Sequence, residues 1–193
     1  MVSARRNIEL KATDVDPSRS LEICQALGAS DQGVLWQRDS YFNVRAGGLK
    51  LREQDPGQPQ LIQFERADEP QQRESRYRII DIGDAEVLLA ALGTAIGVTA
   101  TVTKRRHLFV WQNVRIHLDE VEHLGTYIEL EAVAPADSDL RTEHQLIQQL
   151  RSAFSITDDR LQSAGYAKQL ATQPDEDRAM PDANDTNRGG PLL

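Results

Sequence analysis

The sequence predicts an antiparallel α+β fold in which an eight-stranded β-barrel carries helices packed on its outside. Three observations predict it. About eight segments alternate apolar and polar residues with period two, the pattern of strands with one buried face. Most are separated by short turn-rich links, Gly47-Gly48, Asp55-Pro56-Gly57-Gln58-Pro59, Gln112-Asn113 and His123-Leu124-Gly125, which join neighbours as hairpins. Between them lie amphipathic stretches bounded by helix-capping residues, and eight strands suffice to close a barrel around a small ligand.

In chain order, residues 8–12 form the first strand. Asp16 then caps a helix that has Pro17 in its first turn, an apolar stripe of Leu21, Cys24 and Leu27, and Gly28 as its stop. Strands follow over 37–44, 49–53, 61–66 and 74–82. A second helix repeats the plan, with Asp84 as cap, Val87, Leu88, Ala91, Leu92 and Ile96 as stripe, and Gly97 as stop. Three more strands occupy 101–111, 114–121 and 127–133. A third helix begins near Asp139 and aligns Leu140, Leu146, Ile147, Leu150 and Phe154, and a short fourth spans 161–170. Beyond about Gln169 the chain turns polar and turn-rich with no hydrophobic period, so residues 1–170 read as one domain and 171–193 as a disordered acidic tail.

Composition narrows the function classes. Thirty acidic residues against 22 Lys and Arg give a net charge of −8, which argues against nucleic acid or an anionic membrane as partner. A single cysteine, Cys24, builds neither a disulfide framework nor a thiolate zinc site and suits a reducing, cytoplasmic location. No apolar run approaches the roughly 20 residues of a membrane-spanning helix, and the amino terminus lacks the apolar core of a signal peptide.

The strands carry charge in an ordered way. Asn7, Glu9 and Lys11 alternate with Ile8, Leu10 and Ala12, and Arg115, His117 and Asp119 alternate with Ile116 and Leu118. Alternation alone also describes a half-buried sheet with a solvated face. However, the signs are sorted by strand: Lys50/Arg52, Arg76/Arg78 and Lys104/Arg106 are basic, whereas Glu9, Asp119, Glu129 and Glu131 are acidic. If helices cover the apolar face, these rows point into the barrel. A basic lumen with a carboxylate cluster suits a polyanion such as triphosphate, bridged to the acids by a hard divalent ion.

The same residues carry a family resemblance. Asn7-Ile8-Glu9-Leu10-Lys11 resembles the ExExK motif of the CYTH family, the triphosphate tunnel metalloenzymes, which include class IV adenylate cyclases, thiamine triphosphatases and inorganic triphosphatases. Asp39-Ser40-Tyr41-Phe42, Leu49-Lys50-Leu51-Arg52-Glu53, Thr103-Lys104-Arg105-Arg106, 116–121, Leu124-Gly125 and Ile128-Glu129-Leu130-Glu131 follow in the order of that family's tunnel strands. The resemblance covers roughly residues 5–170 and is closest to the class IV adenylate cyclase-like members.

It implies a tunnel that binds a triphosphate-containing small molecule (ATP, inorganic triphosphate or thiamine triphosphate) with Mg2+ or Mn2+, and either cyclises ATP or hydrolyses a phosphoanhydride. By motif position, Glu9, Asp119, Glu129 and Glu131 would bind metal. Lys11, Lys50, Arg52, Lys104 and Arg106 would act on the phosphates, with Arg66, Arg76, Arg78, Arg115 and His117 completing the substrate site. One departure stands out. Asn7 replaces the first acid of ExExK and offers a hard cation a carbonyl oxygen without charge, which leaves a non-catalytic binding module as the alternative. A homodimer is compatible with the sequence. Of the remaining candidates, His107, His123 and His144 read as surface, Cys24 as a small buried hydrophobe, and Trp36, Tyr41, Phe42, Phe109 and Trp111 as packing residues.

Overall fold

A computed structural model describes residues 4–172 apart from 68 and 70. Eight strands, β1 (Arg5–Thr13), β2 (Ser30–Phe42), β3 (Gly48–Asp55), β4 (Gln60–Arg66), β5 (Arg73–Asp81), β6 (Val98–Trp111), β7 (Val114–Val121) and β8 (Gly125–Ala134), form one closed barrel. Its order is β1-β5-β4-β3-β2-β6-β7-β8, every pairing antiparallel. Helices α1 (Pro17–Ala26), α2 (Ala85–Ile96), α3 (Arg141–Ala153) and α4 (Tyr166–Thr172) pack around it. None of the described helices is long and apolar enough to cross a membrane.

The capping signals act as the sequence predicts in two helices: the carboxylates of Asp16 and Asp84 accept from the backbone N–H of Arg19 and Val87. Elsewhere the elements differ from expectation. β2 begins seven residues before the expected 37 because Gly33, at φ +85°, lets a bulge continue the pairing with β6. α3 starts from Leu140 in left-handed geometry, with Asp139 holding the Arg141 N–H just outside the helix. The expected helix over 161–170 is shorter at its start and begins at Tyr166, preceded by a 3-10 turn at Asp158–Arg160. It runs on to Thr172, so residues 171 and 172, assigned from sequence to the tail, belong to α4. Residues 173–193 of the expected tail lie outside the described residues.

The hydrophobic core lies outside the barrel wall. Ile8, Leu10, Ile116, Ile128 and Leu130 project outward from β1, β7 and β8 and pack against Leu146, Ile147, Leu150 and Phe154 of α3 and Cys24 of α1. Cys24 is a buried apolar contact, its thiol pushed up to about 12 chiefly by burial. α2 rests against β2 and β3, with none of its residues fully buried. The outer face of β4 and β5 is exposed and mostly charged, carrying Glu65, Arg76 and Arg78 beside the exposed Ile80. Here the sequence expectation is corrected: Arg76 and Arg78 alternate with Ser75 and Tyr77, which take the inward positions, so the two arginines point to solvent and to Glu74 and Gln63. Trp36, expected as packing, also stands outside, 57% exposed.

This division between covered and bare outer faces predicts unequal sensitivity. Ile147→Ala, which opens a cavity between α3 and the barrel, should lower unfolding free energy by about 2 to 5 kcal/mol. Arg78→Ala should change it by no more than about 0.5 kcal/mol. Urea denaturation of the two variants measures the contrast.

Candidate active site: a charged tunnel

Because successive side chains of a strand alternate, covering the apolar face with helices commits the other parity to the lumen. The cavity there has a volume of about 310 Å3 and is lined by Lys11, Lys50, Arg52, Arg66, Lys104, Arg106 and Arg115 together with Glu9, Glu129, Glu131 and His117. Thus of the residues expected from sequence, all but Arg76, Arg78 and Asp119 line one cavity.

Asp119 lies in the wall behind it with its side chain fully buried. Arg106 donates to it through Nε and Nη2, both at 2.6 Å, Lys104 Nζ approaches at 3.3 Å, and the Tyr166 hydroxyl donates at 2.9 Å. Three of those contacts fall on Oδ2 and one on Oδ1. Asp119 therefore holds cations in place from behind the cavity lining, where the sequence expectation had it among the metal ligands. Its carboxyl is driven far below the usual range because Arg106 and Lys104 outweigh the opposing effect of burial.

Asp39 is the counterpart on β2, and sequence reasoning assigned it no role. It takes two hydrogen bonds of 2.7 Å from Arg52 and one of 2.8 Å from Lys50, and its side chain is 1% exposed. The register aligns Asp39 with Arg52 and sets Tyr41 beside Lys50, with the Tyr41 ring 5.5 Å from Lys50 Nζ. On β1, Glu9 accepts from Arg66 and from Arg73, each at 2.9 Å. Arg73 is a second omission; it sits two residues before Ser75 on β5's inner face. Arg66 reaches Glu9 across Gly165, where a Cβ would lie 2.7 Å from the guanidinium.

Glu129 on β8 meets Lys11 at 3.3 Å and Arg106 at 2.7 Å, and Glu131 meets Arg115 at 2.5 Å. Tyr166, on the first turn of α4, caps this group with its ring 3.5 Å from Lys11 Nζ. No strand pattern could announce Tyr166, since it arrives from a helix more than thirty residues after β8.

In all, eight buried or half-buried ammonium and guanidinium groups face five carboxylates, a local positive excess inside an acidic protein. The excess registers in the lysines. Burial, reinforced by Arg106, lowers Lys104 to about 7, and burial with Arg52 lowers Lys50 to about 8. His117 is held below its ordinary value, first by burial and then by Arg106, and is neutral near pH 7.

Ligand atoms of His117, Glu129 and Glu131 lie within 4.8 Å of one another, as a metal-binding group would. His117 Nδ1 stands 3.5 Å from Glu129, too poorly placed for a hydrogen bond, and Asn7 Oδ1 is likewise buried without a partner. Two buried polar atoms without hydrogen-bond partners, His117 Nδ1 and Asn7 Oδ1, together with the carboxylates of Glu9, Glu129 and Glu131 fit a hard divalent cation.

The CYTH domain profile matches residues 5–159. This chain belongs to the CYTH domain family. Its barrel superposes on a Pyrococcus horikoshii OT3 protein with TM-score 0.76 at 21% identity, covering 84% of this chain and 98% of that one. A candidate adenylate cyclase from Vibrio parahaemolyticus gives 0.73 at 17% identity, over 86% and 98%. A candidate adenylyl cyclase from Hippeastrum, described as having a dominant triphosphatase activity, gives 0.58 at 16% identity, over 86% and 94%. Among curated proteins none matches the sequence. The CYTH barrel was thus legible in its tunnel strands, and the structure adds Tyr166 to the lumen and Asp39 and Arg73 to the buried ion pairs around it.

Two predictions follow from the ion pairing. Asp39→Ala strands Lys50 and Arg52 as unpaired buried cations and should cost about 3 to 5 kcal/mol of stability, partly restored by inorganic triphosphate; thermal melting with and without the anion reads both effects. An arriving anion favours charged lysines, so it raises the depressed values of Lys104 and Lys50 and draws protons from solution. Triphosphate affinity should therefore fall as pH rises from 7 to 9, with proton uptake visible by calorimetry in buffers of different ionisation enthalpy. The Lys104→Met variant should flatten that profile.

Proposed function

We propose that this protein is a divalent-metal-dependent triphosphatase that binds the triphosphate chain of its substrate inside the barrel. The observation that carries the reading is the excess of buried cations around one cavity. Burying unneutralised positive charge is expensive, and a polyanion is the ligand that offsets it. Lys50, Arg52, Lys104 and Arg106 hold phosphate oxygens, with Lys11, Arg66 and Arg115 completing the cradle. Charge develops on the departing phosphates as the anhydride breaks, and cations already fixed by Asp39 and Asp119 stabilise it without reorganising. Asn7, Glu9, His117, Glu129 and Glu131 would hold the metal, Mg2+ or Mn2+, which when bound neutralises phosphate oxygens and polarises the phosphorus–oxygen bond.

Hydrolysis is preferred over cyclisation because it asks least of the site: water is the nucleophile, and the cradle needs no further groups to present a ribose hydroxyl. The description of the Hippeastrum relative supports the same choice. Asn7 favours a second reading, a triphosphate-binding module without turnover, since an amide oxygen binds a hard cation more weakly than a carboxylate does.

Incubation with Mg2+ or Mn2+ and either inorganic triphosphate or ATP, followed by assay for phosphate and cyclic nucleotide, tests the reading. Phosphate release abolished by chelation is expected; cyclic AMP as main product would replace hydrolysis with cyclisation, and tight binding without either product would establish the module. Asn7→Glu should tighten metal binding about tenfold and raise turnover; unchanged metal affinity would remove Asn7 from the metal group. Lys50→Ala and Arg52→Ala should each weaken inorganic triphosphate binding by about 1 to 3 kcal/mol, the range of a charge-assisted hydrogen bond. Titration calorimetry measures them.

A further inference from the structure

The donors that could hold a metal sit on three neighbouring strands. His117 on β7 is directly opposite Glu129 on β8, Glu131 follows two residues on, and Glu9 on β1 is directly opposite Glu131. Asn7 is the next inward residue of β1. Strand register alone, with no loop involved, fixes where these groups stand.

This donor set departs from the four carboxylates that the family resemblance implies. Asn7 puts an amide in place of the first acid, and Asp119 is held behind the lining by Arg106, Lys104 and Tyr166. An imidazole enters instead. Ligand atoms of His117, Glu129 and Glu131 lie within 4.8 Å of one another, and no other trio of His, Cys, Asp or Glu among the described residues is so arranged. His117 lines the cavity, is 4% exposed, and leaves Nδ1 without a hydrogen-bond partner; Asn7, 2% exposed, leaves Oδ1 in the same condition. Two polar atoms taken out of water with nothing in exchange are costly, and one cation offsets both.

The identity of that cation follows from the donor atoms. Glu129 and Glu131 are already engaged by Lys11, Arg106 and Arg115, so every dication meets the same repulsion from those three groups. That cost cancels between ions of equal charge. What differs is affinity for nitrogen: Mg2+ takes oxygen ligands and gives up its waters reluctantly, whereas Mn2+ and, more strongly, Co2+ accept imidazole.

Resting on the reading of the lumen as a metal-assisted site, we infer that this chain selects a first-row transition-metal dication over Mg2+, and that His117 is the residue that makes the selection. Its Nδ1 supplies the nitrogen lone pair, Glu129 and Glu131 supply the charge, and Asn7 supplies a neutral oxygen. A site of carboxylates alone ranks dications by charge and size; this one also ranks them by donor preference.

Calorimetric titration of the untagged full chain, freed of metal by chelation and dialysis, tests this with MgCl2, MnCl2 and CoCl2 as probes. The wild-type protein should bind Co2+ about tenfold or more tightly than Mg2+, with Mn2+ between them. Pulsed electron paramagnetic resonance of the Mn2+-loaded protein should show nitrogen coupling from a bound imidazole. His117→Gln, which keeps an amide oxygen but has no ring nitrogen, should abolish that coupling and lower Co2+ affinity about tenfold, with Mg2+ affinity nearly unchanged. Glu131→Gln, which removes charge and no nitrogen, should instead weaken all three ions alike. The affinity ratio and the nitrogen signal of the wild-type protein need no variant and stand even if His117→Gln folds poorly. Equal affinity for Co2+ and Mg2+, or Mn2+ bound without nitrogen coupling, would overturn the inference and leave a Mg2+-dependent site in place. Binding of none of the three ions, together with phosphate release from inorganic triphosphate that chelation does not slow, would overturn the metal-dependent reading itself and this inference with it.

Discussion

The structure depends on how Asp39, Asp119, Glu9 and Glu129 share out a larger set of cations inside a barrel. Each carboxylate grips two or more positive groups, so one acid fixes several cations at once, as Asp39 does for Lys50 and Arg52. Desolvating a lone charge costs several kcal/mol, and paired geometry with further hydrogen bonds is what makes such burial tolerable. The pairing is deliberately incomplete: what remains positive defines the ligand, and what is paired holds the donors at fixed positions before that ligand arrives.

That interior explains the location of the core. A lumen filled with ions contributes little hydrophobic stabilisation, so the apolar face must be buried elsewhere, and α1 and α3 supply the cover over β1, β7 and β8. Barrel closure also removes the free sheet edges that a long strand such as β6 would otherwise expose. Site and core are thus two sides of one wall, related through strand parity.

Parity also decides what could be read from the sequence. In the middle of β1, β7 and β8 the outward residues Ile8, Leu10, Ile116, Leu118, Ile128 and Leu130 are apolar and their inward neighbours mostly ionisable, so Glu9, Lys11, His117, Glu129 and Glu131 could be assigned directly. β5 is ambiguous because its bare outer face is charged as well. Arg76 and Arg78 took the attention that belonged to Arg73, while Ser75 and Tyr77, neither of them ionic, lay unmarked on the true inner face. Asp119 was legible as an inward acid but its place behind the lining was not, since its partners include Tyr166 from α4 and the cross-strand guanidinium. Asp39 stood in a recognised segment, yet one acid among polar neighbours carries no signal until the register sets it against Arg52.

The bare outer face of β4 and β5 has a consequence for motion. With helices clamping one side of the barrel and, among the described residues, none over β4 and β5, the free energy of local opening should be graded around its circumference, lowest where no second layer must be peeled away. The β4–β5 hairpin, which contributes Arg66, Ile62 and Ile79 to the lumen, is therefore the section of wall expected to open at the lowest cost. Amide protons there would exchange soonest, and a bound guest, by bridging the soft wall to the clamped one, would slow them most. Part of the binding free energy would then appear as slower opening of that wall.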